Sequence, residues 1–118
     1  MYTISTNHIR DRVAFVEGGE RLVLTVDLDP FEIVGSMSGA IEDLKKLNND
    51  STPEEVMRLS VELGNKMFGE KQTEQLVEFY NGNEKQIFSV LTRYFTERLN
   101  KLIVDAQKKM GRKKLFGR

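Results

Sequence analysis

The 118-residue chain contains no cysteine, a single histidine and only two prolines. The lack of cysteine excludes disulfides, thiol nucleophiles and thiolate metal sites, and it is typical of a reducing compartment. No run of about 18 apolar residues is present, so we expect no membrane span. The first residues, MYTISTNHIRDR, lack the apolar core of a secretion signal. We therefore expect a cytoplasmic protein.

The polar side chains do not suggest a catalytic or metal site. His8 lies in a polar segment without the partners that catalysis or metal binding needs, so we expect it to be exposed. Asp27, Asp29 and Glu32 supply too few oxygens for a hard-cation loop, and we interpret them as helix-capping residues. No serine has a nearby histidine to act as its base. We predict a protein that is not an enzyme and binds no cofactor.

The net charge is zero, but the charges are unevenly distributed. From Arg98 onward there are eight basic residues and one acid, Asp105, so this part carries +7 and the remainder −7. A basic end on an acidic body is compatible with nucleic-acid contact, with an acidic partner, or with self-association through opposite charges.

One region near the amino terminus has a strand pattern. The segment VAFVEGGERLVLTVDL, from Val13 to Leu28, contains apolar residues at period two, which predicts β-strands. Gly18 and Gly19 separate two β-rich runs and predict a two-residue hairpin turn. A hairpin alone is only marginally stable in water, so we expect it to pack on the helices that follow.

The two prolines mark the starts of two helices. Asp29 and Thr52 each precede a proline and are followed three residues later by a glutamate, which is the pattern of a capping box with proline at the first helical position. We predict that the first helix ends before the residues NND at 48–50. The second should end at Gly69, which interrupts its apolar periodicity.

Two further helices follow. A short helix should end at the turn Asn81–Asn83, where Asn83 can also cap the last helix. Apolar residues then keep helical period from Glu84 to about Lys109. We predict one mainly α domain over residues 1–118, with an N-terminal segment that contains the β-hairpin (1–28), a four-helix bundle with a long C-terminal helix (29–110) and a basic tail (111–118).

The helices carry more apolar surface than we expect so short a chain to bury. The second helix has a second apolar stripe of Met57, Val61 and Phe68 beside its first. The first helix has a Gly-x-x-x-Gly pair, which indicates either close packing within the chain or a contact with another subunit. The residues we predict for contact with a partner or with another copy are Gly35, Gly39, Met57, Val61, Phe68 and Tyr94.

The segment KMFGEKQTEQLVEFYNGNEKQIFSVLTRYFTERLNKLI resembles the carboxy-terminal half of tail assembly chaperones of long-tailed, siphovirus-type bacteriophages. The pattern is FG-x-x-Q-x-x-x-L-x-x-x-Y, a short turn, and a long apolar helix that ends in basic residues. Its positions in this chain are Phe68, Gly69, Gln72, Leu76 and Tyr80. The resemblance extends over about residues 29–110.

The resemblance implies a non-catalytic helical protein that self-associates and binds the tape measure protein during tail assembly in the host cytoplasm. It also implies that a longer form, made by ribosomal frameshifting, could recruit tail tube protein. The alternative function is a small nucleic-acid-binding or regulatory module that uses the basic C-terminal helix. We place nucleic-acid binding second because no aromatic stacking platform or recognition helix accompanies the basic residues.

Overall fold

The computed structural model describes residues 1–2 and 8–116, with side chains except at positions 31, 34–36, 38 and 109–116. It is mainly helical and begins with an antiparallel hairpin, as predicted. The elements are β1 (Ile9–Glu17), β2 (Glu20–Leu28), α1 (Pro30–Lys45), α2 (Pro53–Phe68), α3 (Glu70–Phe79), α4 (Glu84–Tyr94), a π-helical turn (Phe95–Leu99) and α5 (Asn100–Phe116).

The hairpin turns at the two predicted glycines. Gly18 and Gly19 both have positive φ, +56° and +85°, which a tight turn of this length requires and which only glycine adopts easily. β1 is longer than expected, since it starts at Ile9 instead of Val13. The charged residue Asp11 interrupts the apolar alternation there, and it is accommodated by partners that are distant in sequence.

The helix boundaries in the middle of the chain follow the predicted signals. Thr52 and Glu55 form a reciprocal capping box, and Pro53 is the first helical residue. Gly69, with φ of +85°, separates α2 from α3. The Asn83 side chain accepts a hydrogen bond from the Gln86 N–H at 3.2 Å and so caps α4.

The last helix differs from the prediction in two ways. A π-helical turn divides it, although the backbone stays helical at Phe95 and Asn100, so α4, the turn and α5 form one continuous rod. The helix also continues to Phe116, and most of the expected basic tail from 111 onward is therefore helical. Lysine, arginine and leucine favour helix, and Gly111 alone does not stop it.

The core lies between the inner face of the hairpin and the helices. Its fully buried residues come from β2, α2, α3, α4 and the π turn, and the largest are Leu24, Leu63, Met67, Leu76, Ile87, Leu91 and Leu99. α2 is central, because it contacts α1, α3, α4 and β2. This position explains its wide apolar face. Among the described residues, no helix has the length and apolarity that crossing a membrane requires.

Candidate protein-binding site

The described polar side chains form two small clusters, and neither is placed to bind a metal ion. Within residues 1–2 and 8–108, apart from the undescribed side chains of α1, no three acidic or histidine side chains are placed to hold a metal ion. His8 is exposed, as expected, and its Nδ1 lies 2.7 Å from Asp27 Oδ1. Asp27 belongs to β2, so it does not cap a helix as we expected. The hydrogen bond with His8 lowers the pKa of Asp27, and the positive charge of Arg10 lowers it further.

A second polar cluster joins the hairpin to the long helix. The Asp11 carboxylate accepts two hydrogen bonds from Arg98, at 3.0 and 3.1 Å, and one from the Tyr94 hydroxyl at 2.8 Å. The Asp11 side chain is 12% exposed. The hydrogen bond from Arg98, followed by that from Tyr94, lowers the Asp11 pKa, while burial and Asp11 raise the pKa of Tyr94. All three groups are paired within the chain, so the cluster fastens β1 to the π turn.

Two of the predicted contact residues belong to the core. Phe68 stacks on Tyr94 with ring centroids 5.7 Å apart, and Phe15 meets the Phe68 ring edge-on at 6.2 Å. Phe68 and Tyr94 are 7% and 8% exposed. A partner could contact them only if the hairpin and helices separated, so we remove them from the candidate surface. The apolar stripe of α2 is wide partly because Phe68 packs inside the chain.

Gln72, a position in the FG-x-x-Q pattern, closes one edge of the hairpin. In an antiparallel hairpin, residue pairs that are hydrogen-bonded to each other alternate with pairs that are not. The pair next to the turn, Glu17 and Glu20, is of the first kind, and counting along the strands makes Thr25, opposite Arg12, one of the second kind. The N–H and C=O of Thr25 therefore point away from β1. The Thr25 N–H donates to Gln72 Oε1 at 2.9 Å, and Gln72 Nε2 donates to the Thr25 carbonyl at 2.8 Å. The same Nε2 also donates to the Phe68 carbonyl. Gln72 thus replaces part of a third strand, a role that our sequence analysis missed.

The remaining predicted residues on α2 lie at a surface groove. The groove has a volume of about 420 Å³, and its lining residues from α2 and α3 are Val61, Asn65, Glu70, Thr73, Glu74, Val77 and Glu78. Val61 and Val77 are half-buried and give it apolar walls. Met57, four residues before Val61 and therefore on the same side of α2, is also half-buried. We call this feature the α2–α3 groove.

One rim of the groove is acidic. Glu70, Glu74 and Glu78 are exposed and recur every four residues, so they share one side of α3. None of the three has an ion pair with any residue in the described part of the chain. Like charges four apart on a helix cost about 0.2–0.5 kcal/mol per pair, and a cationic partner would reverse that cost.

The bottom of the groove depends on a close approach between α2 and α3 at Gly64. A Cβ added there would lie 2.9 Å from Thr73 Cγ2, closer than side chains ordinarily pack. Thr73 is held in place by a 2.8 Å hydrogen bond from its hydroxyl to the Gly69 carbonyl. Gly64 was not among the predicted contact residues, although a glycine within a strongly periodic helix is a signal for close packing.

The glycine pair of α1 is only partly described. Gly39 is exposed, and no described atom would lie within 4 Å of a Cβ added there. Close packing against the described residues therefore does not explain Gly39. The surroundings of Gly35 lie outside the described side chains.

In the part of the chain whose side chains are described, exposed apolar surface is smaller than the sequence suggested. The large apolar residues that are well exposed in the described part of the chain are scattered over both strands, α5 and the first two positions: Met1, Tyr2, Val16, Val23 and Val104. The half-buried Val61 and Val77 of the α2–α3 groove offer apolar contact in addition to this exposed set. The fold and the α2–α3 groove define a hairpin-capped helical module with a candidate protein-binding surface. Comparison with protein-family models, curated proteins and solved structures finds no match.

Proposed function

We propose that this protein is a tail assembly chaperone of the long-tailed phage type. It is not an enzyme, it self-associates, and it binds the tape measure protein during tail assembly. The single observation that carries the proposal is the α2–α3 groove, with its apolar walls and unpaired acidic rim.

The chemistry of the groove suits a helical client. Val61 and Val77 offer apolar contact to the non-polar stripe of an amphipathic helix, and Met57 extends that surface along α2. Methionine adapts its shape to varied partners because its side chain is flexible and polarisable. Glu70, Glu74 and Glu78 favour a client whose flanking residues are lysine or arginine.

The resemblance pattern coincides with the corner that forms this groove. Gly69 provides the positive φ between α2 and α3, and Gln72 ties that corner to β2. Leu76 is completely buried and Tyr80 is 5% exposed. The pattern residues therefore determine how α2 and α3 meet, and the groove is the surface that this arrangement presents to a partner.

The proposal is tested by coexpression with a tape measure protein from the genome that encodes this chain. We expect the soluble fraction of the tape measure protein to rise severalfold with the native chain and to fall back with Val77→Gln, which removes apolar contact from the groove. Val104→Gln is the matched control, since Val104 is 37% exposed on α5, away from the groove. Thermal melting of each variant establishes that it is folded.

The decisive comparison is between the native chain and no chain at all. If the tape measure protein is equally soluble in both cases, the proposed function is wrong. If Val104→Gln lowers its solubility as much as Val77→Gln does, the client binds somewhere other than the groove.

The second candidate function is nucleic-acid binding by the basic C-terminal part, which carries +7 from Arg98 onward. Arg98 itself is committed to Asp11, so it is not available for a phosphate. The hypothesis predicts a mobility shift that weakens steeply with salt. Absence of binding at low salt eliminates it.

A further inference from the structure

We infer that the α2–α3 groove also receives the basic C-terminal segment, residues 108–118, of a second copy of this chain. Copies then associate head to tail, and a client competes with a neighbouring copy for the same groove. The inference rests on the proposed function, because it names the occupant of that groove when no client is present.

Charge complementarity identifies the occupant. The groove rim presents three unpaired glutamates at four-residue spacing, extending over about 12 Å of helix. Residues 108–118 contain six basic residues and no acid. Lys108 and Arg112, like Lys109 and Lys113, are four residues apart, so a helical segment carries its cations with the same spacing as the glutamates.

The C-terminal segment also contains apolar residues for the groove walls. Met110, Leu115 and Phe116 are interspersed among its basic residues. An ion-pair contact exposed to water contributes little, so apolar contact with Val61 and Val77 is what makes the association useful at physiological salt.

The geometry favours a contact between copies over a contact within one chain. The main contacts of α5 are with α1, β1 and the π turn, whereas the groove is formed by α2 and α3. α4, the π turn and α5 form a rod from Glu84 to Phe116, about 50 Å long at about 1.5 Å per residue. The longest dimension of the molecule is 53 Å, so the rod sets the long axis and cannot bend back while it remains helical.

The contact is heterologous, because the segment and the groove are different surfaces of the chain. Each copy offers one groove, on α2 and α3, and one C-terminal segment beyond the main contacts of α5. Such contacts form rings if their rotation closes and open chains if it does not. We therefore expect a series of oligomers whose size increases with protein concentration.

A charge-swap experiment on the full chain tests the inference by sedimentation velocity. One variant reverses the groove rim with Glu70→Lys, Glu74→Lys and Glu78→Lys. The other reverses the segment with Lys109→Glu, Arg112→Glu and Lys113→Glu. We expect each variant alone to associate at least tenfold more weakly than the native chain. An equimolar mixture should associate again, because each reversed surface then meets its complement.

The control has the same change in net charge as the groove variant but leaves the groove intact. It carries Glu20→Lys, Glu42→Lys and Asp50→Lys, at three exposed acids outside the groove. We expect it to associate more like the native chain than like the groove variant. Circular dichroism confirms that all variants are folded before they are compared.

The outcomes separate this inference from the proposed function. A native chain that stays monomeric at millimolar concentration and low salt overturns the inference, as does a mixture that fails to regain association. If the tape measure protein is still made soluble in that case, the client-binding part of the proposed function stands and its self-association part does not. If the mixed variants associate again but the native chain does not raise the solubility of the tape measure protein, the groove–segment contact is supported and the chaperone function is rejected.

Discussion

Asp11 forms a largely buried polar contact between the hairpin and the long helix. Its pKa is lowered, chiefly by Arg98, so ionised Asp11 stabilises the folded state more than the unfolded state. This contribution is fully present above the unfolded pKa, about 3.9, and is lost as pH falls through the lower folded value. We expect Asp11→Asn to destabilise the protein by about 1–2 kcal/mol at pH 6 and by progressively less towards pH 3.

Urea denaturation of the native chain and Asp11→Asn across this pH range measures the difference. Asp27→Asn is the control, since Asp27 is also paired but its side chain is 57% exposed, and we expect it to change stability little. A difference between the native chain and Asp11→Asn that does not shrink below pH 4 would contradict the role assigned to the carboxylate.

Gly64 and Thr73 form the second residue-scale contact that can be tested. Alanine gains about 1 kcal/mol over glycine within a helix. At Gly64 this gain is outweighed, because the new methyl group would lie 2.9 Å from the buried Thr73 methyl. We expect Gly64→Ala to lower the free energy of unfolding by about 1–3 kcal/mol in chemical denaturation.

The compensating change is Thr73→Ala, which removes the two nearest atoms. We expect the double variant Gly64→Ala, Thr73→Ala to be more stable than the sum of the single changes predicts, as a double-mutant cycle would measure. Strict additivity would show that the two helices do not meet at this point.

At the scale of elements, we expect replacement of a glycine by alanine to have opposite effects on stability in α1 and in α2. Gly39 lies within α1, is exposed, and has no atom of the described side chains within 4 Å of where a Cβ would be. We expect Gly39→Ala to raise the free energy of unfolding by about 0.5–1 kcal/mol, the reverse of the effect at Gly64. Thermal melting of both glycine variants gives the comparison, and a loss of stability at Gly39 would show that a contact there has been overlooked.

The corner between α2 and α3 also holds the hairpin through Gln72. We expect the amide hydrogen of Thr25 to exchange slowly in the native chain and at least tenfold faster in Gln72→Ala, because its acceptor is then missing. Hydrogen exchange followed by NMR measures this directly. Gln75→Ala is the matched control, as Gln75 is exposed on the same helix, and equal exchange in both variants would disprove the edge-closing role.

Elements that depend on local signals could be predicted from the sequence. The capping box at Thr52, the glycine turn at Gly18 and the cap at Asn83 each involve residues within a few positions of one another. The π turn and the burial of Tyr94 could not be predicted in this way. Tyr94 and Arg98 meet Asp11 across 83 and 87 residues, and no local pattern encodes such a pairing.

The residues of the candidate site also differ in whether a local sequence pattern could predict them. Val61 and Met57 were predicted from helical periodicity, which shows which side chains share a face. Periodicity does not show which face the rest of the chain covers, so Phe68 was assigned to the surface although it is buried. The acidic rim of α3 was not identified, because its glutamates resemble an ordinary solvated face until the neighbouring groove is known.

At the scale of the whole molecule, the long helix makes the chain elongated. The Cα radius of gyration is 16.3 Å, whereas a compact domain of this length has about 13–14 Å. We expect small-angle scattering from dilute protein in high salt, where copies are separated, to give at least 16.3 Å. A value near that of a compact domain would mean that the C-terminal helix folds back on the bundle in solution.

The glutamine that completes the hairpin has a consequence for solution behaviour. Fibres of the amyloid type grow when strands add to both free borders of a sheet, and a two-stranded sheet has two such borders. Here the amide of Gln72 occupies the outer border of β2 near its middle, at Thr25. The Gln72 side chain thus occupies one of the two sheet edges to which another strand could add. It protects the hairpin from polymerising at that edge, and no third strand is needed there.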